Sequence, residues 1–422
     1  MDPAIKSLII MAVCVVLFVT ETFPSATTAL LGCVAMLVFK VGTLPQVLSG
    51  FSGDIFLIVV GMQIIGLAMF SSGAAHMIGN IAIKLSGNSE RKYIFLSCLI
   101  SAVLSAFLSN MAVTSMMIAI ANSIVKISGN MKLKNLVLPA AIGAIFGGSI
   151  TLVGSTPQLI ATGLLEEAGS AGFGMFSLAY LGIPLTLIML IYVTFIGYPL
   201  GKKIWGDSNH GSLENELQLE ISENKDRKKA FLVLGIFLLV LVLFVTNVVT
   251  TGTAALIGAL LCIMTGSLSP QEAFVKMDWN VAIWLCAMLG LGNVVNVAGG
   301  GELIADVFIN LFGANTSPYI LLAALVFLVM LITNFLANTT AVVIILPPAL
   351  FLANAMGLNP YPFAYAITFG ASLAFTLPLA NGFVGLSMSA GYKFTDLPKY
   401  GLLLSVISYF VIIVFTPMLF PF

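Results

Sequence analysis

Long apolar stretches, separated by short polar connections, run through most of the chain. A helix needs about 20 apolar residues to cross the hydrocarbon core of a bilayer. The pattern predicts crossings at 4–20, 25–41, 52–72, 135–168, 176–201, 229–248, 252–267, 279–298, 362–392 and 398–420. Two of them, 135–168 and 362–392, are interrupted by glycine, proline and polar residues. Short amphipathic stretches at 74–86 and 300–313 predict helices that lie along the membrane surface.

Two further stretches, 93–127 and 317–355, do not fit simple crossings. Each is too long for one span and carries polar residues near its middle, and the two arms of the first, 93–108 and 111–126, are short for a crossing. This pattern predicts a helical hairpin that enters and leaves the membrane on one side. Irregular backbone at such depth is tolerated only where it is buried in protein or lines a cavity.

Three separate motifs recur at a nearly constant distance along the chain. The offsets are 226, 225 and 228 residues, from Gly32 to Gly258 (258 − 32), Pro45 to Pro270 (270 − 45) and Asn110 to Asn338 (338 − 110). Such regular self-similarity indicates a duplication. Each half then has five crossings and one hairpin, and an odd number requires the halves to insert with opposite topology. Inverted repeats with broken helices are typical of many secondary transporters.

We therefore predict an all-α polytopic membrane protein built as an inverted repeat of two five-helix halves. Each half has a re-entrant hairpin and a discontinuous helix. The halves are 1–204 and 229–422, and the polar segment 205–228 joins them.

Composition and charge support a membrane location. The chain is 59% hydrophobic and 8% charged, whereas soluble domains carry about 25% charged residues. With the ends of the first hairpin in the cytoplasm, only Lys6 and Lys40 of the 17 basic residues fall outside, so 15 obey the positive-inside rule (17 − 2). This orientation places the protein in the cell (inner) membrane, with the linker 205–228 in the cytoplasm and both termini on the external face. A net charge of zero gives no sign of nucleic-acid binding.

The usual signatures of an enzyme are absent from the sequence. The five cysteines stand singly in apolar runs, and His76 and His210 have no ligand partner at metal spacing. No intramembrane Asp pair, Ser–His pair or His/Glu metal motif is visible. We therefore expect no catalytic residues and no cofactor, and a passive channel remains as a further alternative to a transporter.

The polar residues of the hairpin tips and of the two breaks are the candidate binding site. The first tip carries Ser105, Ser109, Asn110 and Thr114, and the second carries Thr333, Asn334, Asn338, Thr339 and Thr340. The breaks span 147–158 and 376–382. Helix N-termini suit an anion, whereas unwound carbonyls and hydroxyls suit a small cation. No charged residue occurs in these segments, so we expect a neutral site in which bound cations offset the charge of an anion.

Single polar residues in membrane helices more often bond neighbouring helices than bind a ligand. We interpret Gln63, Asn293 and Asn296 in this way. For the two asparagine-centred tips, the symmetry of the repeat favours the functional interpretation instead.

At these positions the sequence resembles the divalent-anion/sodium symporter (DASS) family of the ion transporter superfamily. The resemblance lies in Ser109-Asn110-Met111, Ala337-Asn338-Thr339, Gly154-Ser155-Thr156-Pro157 and Gly391-Tyr392-Lys393 with Asp396 and Lys399. Met111, Ala337 and the loop 379–382 depart from the family pattern. The resemblance implies a homodimeric elevator with scaffold parts 1–91 and 229–316. The transport parts would be 92–204, with hairpin 93–127, and 317–422, with hairpin 317–355.

The resemblance also implies two sodium sites and a substrate site. Sodium would bind at Ser105, Ser109, Asn110 and Gly154, and again at Thr333, the backbone of Leu336, Asn338 and Ala380. Substrate carboxylates would contact Asn110, Asn338 and Thr339, and our further substrate-binding candidates from the tips and breaks are Thr114, Ser155, Thr156, Thr340 and Asn381.

We therefore expect a secondary active transporter that couples small anions, di- or tricarboxylates, to sodium. Its partners would be the anion, sodium, membrane lipid and a second copy of the chain. The alternatives are a sodium-independent dicarboxylate exchanger and an oxyanion efflux permease. A requirement for internal counter-substrate would identify an exchanger.

Overall fold

The residues that the computed structural model describes are mostly helical. These are 2–20, 22–78, 85, 87, 89–128, 131–205, 227–301, 303, 316–377 and 382–422. No strand occurs within these ranges. Six helices are long and apolar enough to cross a membrane, and shorter apolar helices accompany them.

The first half of the chain contains nine helices whose two ends are both described. They are α1 Pro3–Val19, α2 Ser25–Val38, α3 Leu44–Val47, α4 Asp54–Ser71, α5 Glu90–Ser105, α6 Asn110–Ser128, α7 Leu133–Gly148, α8 Thr156–Glu167 and α9 Ala179–Trp205. A 3₁₀ turn, Ser49–Ser52, precedes α4, and α9 includes a π-helical segment, Tyr192–Gly197.

The second half repeats this order. Its helices are α10 Arg227–Thr246, α11 Thr251–Met264, α12 Pro270–Lys276, α13 Trp279–Val297, α14 Pro318–Ile332, α15 Asn338–Ala355, α16 Tyr361–Ser372, α17 Gly382–Ser387 and α18 Asp396–Leu419. Corresponding helices begin at constant offsets, 226 residues for α2 and α11 (251 − 25) and 228 for α6 and α15 (338 − 110). The predicted duplication and all-α fold class are confirmed.

The predicted hairpins and interrupted crossings are present. Helices α5 and α6 are joined by a tight turn at the first tip, and α14 and α15 by a tight turn at the second. The first interruption separates α7 from α8, and the second separates α16 from α17. Residues 206–226 of the predicted linker 205–228 and most of the predicted surface helices 74–86 and 300–313 lie outside the described residues.

The two halves are joined by an exchange of helix caps. Asp54 at the start of α4 accepts a 2.8 Å hydrogen bond from the Gly252 amide at the start of α11. In the related position, Asn280 at the start of α13 accepts a 3.0 Å bond from the Ala26 amide at the start of α2. The first amides of a helix have no partner within the helix. Each half therefore supplies a hydrogen-bond acceptor to one such amide in the other half. The symmetric exchange explains why α4 packs on α11 and α2 on α13.

Glycines let each hairpin lie directly against its interrupted helix. A Cβ atom at Gly147 in α7 would lie 2.2 Å from the carbonyl oxygen of Ala102 in α5. Ser101 also donates a 2.7 Å hydrogen bond to the carbonyl of Ala140 across this contact. Close approach through small residues is a common packing mode in membranes. In the second half, α14 and α15 pack on α16 in the same way.

Candidate functional site

Both hairpin tips and the first helix break line one cavity of about 490 Å³. The tips contribute Ser109, Asn110, Met111, Ala337, Asn338 and Thr339, and the break contributes Gly154, Ser155 and Thr156. Asn110 and Asn338 are both buried, each 9% exposed. The structure therefore brings the two sequence-predicted asparagines together at one site, although they are far apart in the chain.

Asn110 of the first tip is held by the Ser105 hydroxyl and packs against Gly148. The Ser105 hydroxyl donates to Asn110 Oδ1. The Asn110 amide lies against Gly148, where a Cβ atom would stand 2.3 Å from Oδ1. The break then folds back, because a Cβ atom at Gly154 would lie 2.4 Å from the Gly148 carbonyl oxygen. Glycine is thus required at both positions for the backbone to reach Asn110.

The second tip reproduces this arrangement with different residues. Thr333 Oγ1 lies 3.0 Å from Asn338 Oδ1 and 2.9 Å from the carbonyl oxygen of Ala371. Asn338 Nδ2 donates to the carbonyl of Ser372 at 3.4 Å. In both tips, a hydroxyl five residues before the asparagine binds its side-chain oxygen, which groups oxygen atoms of the kind that coordinate small hard cations.

Polar residues of the breaks bond to the tip of their own half, and one of them joins the two halves. Thr151 donates to the Ala106 carbonyl in the first tip, and Thr376 donates to Asn334 Oδ1 in the second. Gln158 joins the halves, because its Nε2 donates at 3.3 Å both to the Gly148 carbonyl and to Ser372 Oγ. Gln158 ends the predicted break 147–158 but was not among the predicted binding residues.

Three helices begin at this cavity. Asn110 starts α6, Thr156 starts α8 and Asn338 starts α15. The first amides of each helix carry unpaired N–H groups and the positive end of the helix dipole. Such ends attract the charge of an anion without a charged side chain.

The expectation of a wholly neutral site is wrong for the cavity wall that faces the tips. Lys276 at the end of α12 and Asp278 before α13 both line the cavity. They were missed because they belong to neither a tip nor a break. Asp278 caps α13 by accepting a 3.2 Å bond from the Val281 amide. Lys276 Nζ lies 3.2 Å from Glu272 Oε1, and this hydrogen bond holds the pKa of Glu272 below its usual value.

Gln63 of α4 also lines the cavity and connects it to α13. Its Oε1 accepts a 2.7 Å bond from the Asp278 amide, and its Nε2 donates at 3.3 Å to the Asp278 carbonyl. Gln63 therefore bonds neighbouring helices, as interpreted from the sequence, and it also lines the cavity. Asn293 and Asn296 bond to the carbonyls of Gln46 and Glu167, also as contacts between helices.

The remaining candidates lie behind or beside the cavity. Ser105 and Thr333 are buried behind the tips, and Leu336 lies within the second tip. Thr114 and Thr340 do not line the cavity, and the buried Thr114 hydroxyl has no hydrogen-bond partner among the residues that the structure describes. Ala380 and Asn381 lie outside the described residues. Within the described ranges, no cluster of three His, Cys, Asp or Glu residues could hold a metal ion.

Comparison with known proteins decides the family. The model of the citrate transporter family matches residues 15–370 and again 242–422. The chain belongs to the citrate transporter family. It is therefore a membrane transporter and not an enzyme, as the sequence predicted. The finer prediction of the DASS family remains a prediction.

Relatives of this citrate transporter family member include proteins with stated substrates. It is 22% identical to the sodium-dependent dicarboxylate transporter SdcS of Staphylococcus saprophyticus, over 86% of this chain and 76% of that protein. It is 28% identical to an L-tartrate/succinate antiporter of Escherichia coli, over 64% of this chain and 56% of the antiporter. An uncharacterized transporter of Methanocaldococcus jannaschii is 26% identical, over 80% of this chain and 76% of its own.

A solved structure supports the fold. The YdaH transporter of Alcanivorax borkumensis superimposes with a TM-score of 0.64 at 16% identity, covering 90% of this chain and 88% of that one. The chain also matches two longer transporters over only 31% and 30% of their length.

Proposed function

We propose that the protein is a sodium-coupled secondary transporter of di- or tricarboxylates. The observation that carries this proposal is the single cavity lined by both asparagine tips and the first break. Three helix N-termini would bind the carboxylate groups, and Lys276 on the facing wall would add attraction for the anion. The proposal agrees with the family and with the sodium-dependent dicarboxylate relative.

Sodium ions would bind behind the tips, where hydroxyl and amide oxygens are already paired. The two candidate pairs are Ser105 with Asn110 and Thr333 with Asn338. A cation at each pair would offset the cost of burying a multivalent anion in a site whose tips carry no charge. Sodium binding would thus make substrate binding favourable, which is the basis of coupling.

Movement of the cavity across the membrane would follow an elevator mechanism in a homodimer. The cavity lies between the tips and helices α4 and α13. The tips belong to the proposed transport part, and both helices belong to the proposed scaffold part. In the orientation favoured by the basic residues, both termini are external and Lys276 is cytoplasmic. The cavity reaches Lys276, so the structure would correspond to an inward-facing state.

Uptake into proteoliposomes tests the function directly. We expect an inward sodium gradient to drive accumulation of citrate or succinate above its equilibrium level, and an equal potassium gradient to drive none. Accumulation that is the same in both gradients would contradict sodium coupling. Absence of saturable flux for every carboxylate and oxyanion tested would contradict the transport function itself.

Exchange is the second candidate function, and the similarity to the L-tartrate/succinate antiporter favours it. In this case uptake would need dicarboxylate inside the vesicles and would be indifferent to sodium. Preloading the vesicles with succinate distinguishes the two mechanisms, because a symporter takes up substrate without it. An oxyanion efflux permease would instead show flux of inorganic oxyanions in the same assay.

A further inference from the structure

A second and smaller cavity contains a carboxyl group that the transport site does not use. It has a volume of about 120 Å³ and lies where α8 meets α1, α13 and α15. Its walls are mostly apolar, with Leu8, Leu289 and Phe351 among them, and Glu167 is its one titratable lining residue. An acidic group in such surroundings is costly and is often functional in membrane proteins.

Glu167 is the last residue of α8 and packs directly against α13. Its Oε2 atom is shielded from solvent and has no hydrogen-bond partner among the described residues. A Cβ atom at Gly292 of α13 would lie 2.5 Å from this oxygen. The backbone carbonyl of Glu167 accepts a 2.9 Å bond from Asn296, one turn further along α13. The carboxyl group is therefore held at the contact between the two helices.

The surroundings of Glu167 favour its neutral form. An ionised carboxylate without a partner is far more costly to bury than the protonated acid. The carbonyl end of α8 carries negative partial charge, which also opposes ionisation. The charged group that acts on Glu167 is itself acidic, Glu166 on the same helix. The cavity residues contributed by α1, α13 and α15 are uncharged.

We propose that the Glu167 carboxyl group is a proton-binding site that controls the packing of α8 against α13. When the proton is bound, the neutral acid fits against Gly292. When it is lost, the unpaired charge disfavours this contact and shifts α8 towards a position where water reaches the carboxylate. Helix α8 begins at Thr156 in the substrate cavity, so one rigid helix connects the proton site to the substrate site.

Thermal unfolding of the purified protein in detergent tests the proton site without any transport. Between pH 5 and pH 8 the folded state holds a proton that the unfolded chain has already released, because an unfolded glutamate has a pKa of about 4.3. Stability therefore falls as pH rises. We expect the wild-type Tm to fall by about 3 °C more between pH 5 and pH 8 than that of Glu167→Gln. Glu166→Gln removes an exposed acid one residue away that also acts on Glu167 through its charge, so we expect it to reduce the slope less than Glu167→Gln does.

The proposal is overturned if Glu167→Gln retains the wild-type dependence of Tm on pH. Glu167→Met, which is apolar and of similar length, serves as a second neutral variant if the glutamine variant does not fold. It should show the same reduced slope.

The consequence for transport rests on the proposed function. In proteoliposomes we expect uptake by the wild type and by Glu166→Gln to change with pH, and uptake by Glu167→Gln to lose this dependence while remaining saturable. An unchanged pH profile in Glu167→Gln would refute the link between the proton site and transport. Absence of uptake in every protein, including the wild type, would refute the proposed function and leave the unfolding result standing.

Discussion

The two hairpin tips share their support but differ in what they present to the cavity. In each tip a hydroxyl binds the side-chain oxygen of the asparagine five residues later, Ser105 with Asn110 and Thr333 with Asn338. The residues beside the asparagines differ, since Ser109 and Met111 flank the first and Ala337 and Thr339 flank the second. Each asparagine therefore has one hydroxyl residue directly beside it. This residue precedes the asparagine in the first tip and follows it in the second.

This difference separates two roles that a repeat can carry. The hydroxyl–asparagine pair is the same in both halves, as expected if it holds the same kind of ion twice. The flanking positions line the cavity, where a ligand that binds between two halves does not need identical surroundings on its two sides. The duplicated part would then serve sodium, and the diverged part would serve the substrate.

The largest effect is expected from removing either asparagine. Asn110→Ala and Asn338→Ala should each lower sodium-driven uptake by more than about tenfold, since loss of a charge-assisted hydrogen bond costs roughly 1.5–3 kcal/mol. The control Asn359→Ala removes an exposed asparagine that bonds to the Pro421 carbonyl and does not line the cavity. Wild-type uptake in one of the two tip variants would show that the tips are not equivalent.

A methyl group at Gly148 should disturb the first tip while leaving the second intact. The new Cβ atom would overlap Asn110 Oδ1, and overpacking of this kind costs about 1–3 kcal/mol. We expect Gly148→Ala to lower Tm by several degrees and to impair uptake. Gly235→Ala is the matched control, because no atom lies within 4 Å of its Cβ position. Equal Tm values for the two variants would contradict the close contact between Gly148 and Asn110.

Removing the supporting hydroxyls should weaken sodium binding to a similar extent in both tips. Ser105→Ala and Thr333→Val should raise the sodium concentration for half-maximal uptake by about threefold to tenfold, since a hydrogen bond contributes about 0.5–1.5 kcal/mol. Ser123→Ala is the control, because this hydroxyl bonds only to the Ala119 carbonyl within its own helix. A change in one tip alone would mean that only one of them binds sodium.

The smallest effect is expected from the charged wall opposite the tips. Lys276→Gln should raise KM for a dicarboxylate by about twofold, whereas Glu272→Gln should lower it, because an exposed ion pair contributes at most about 1 kcal/mol. Both changes should shrink at high salt. Lys203→Gln, an exposed lysine away from the cavity, is the control. Shifts of the same sign in the two variants would exclude attraction of the anion by Lys276.

The membrane fold and the core of the site could be predicted from sequence, because both follow from local patterns. Apolar length indicates the crossings, and the offset of 228 residues between Asn110 and Asn338 indicates the paired hairpins. Glycine and proline mark the break that contains Gly154. These signals are properties of the sequence alone, and reading them requires no knowledge of which helices pack together.

The rest depends on contacts between segments that are distant in sequence. Lys276 enters the cavity because of where α12 is placed, and nothing around it in the sequence indicates this. Gln158 connects the halves through Ser372, a contact between two interrupted helices. Thr114 lies on α6 close to the tip but does not reach the cavity, because only one face of a helix can line it. The reciprocal caps at Asp54 and Asn280 also depend on contacts between the two halves, which no local sequence pattern indicates.

The claim that both tips hold one ligand can be measured by substrate protection of single cysteines. The five native cysteines are buried, so Met111→Cys and Ala337→Cys, one in each tip, should be the reactive thiols of their variants. We predict that citrate or succinate with sodium slows labelling at both positions, and leaves an exposed control, Val248→Cys, unchanged. Protection at only one tip, or at neither, would contradict a shared binding site.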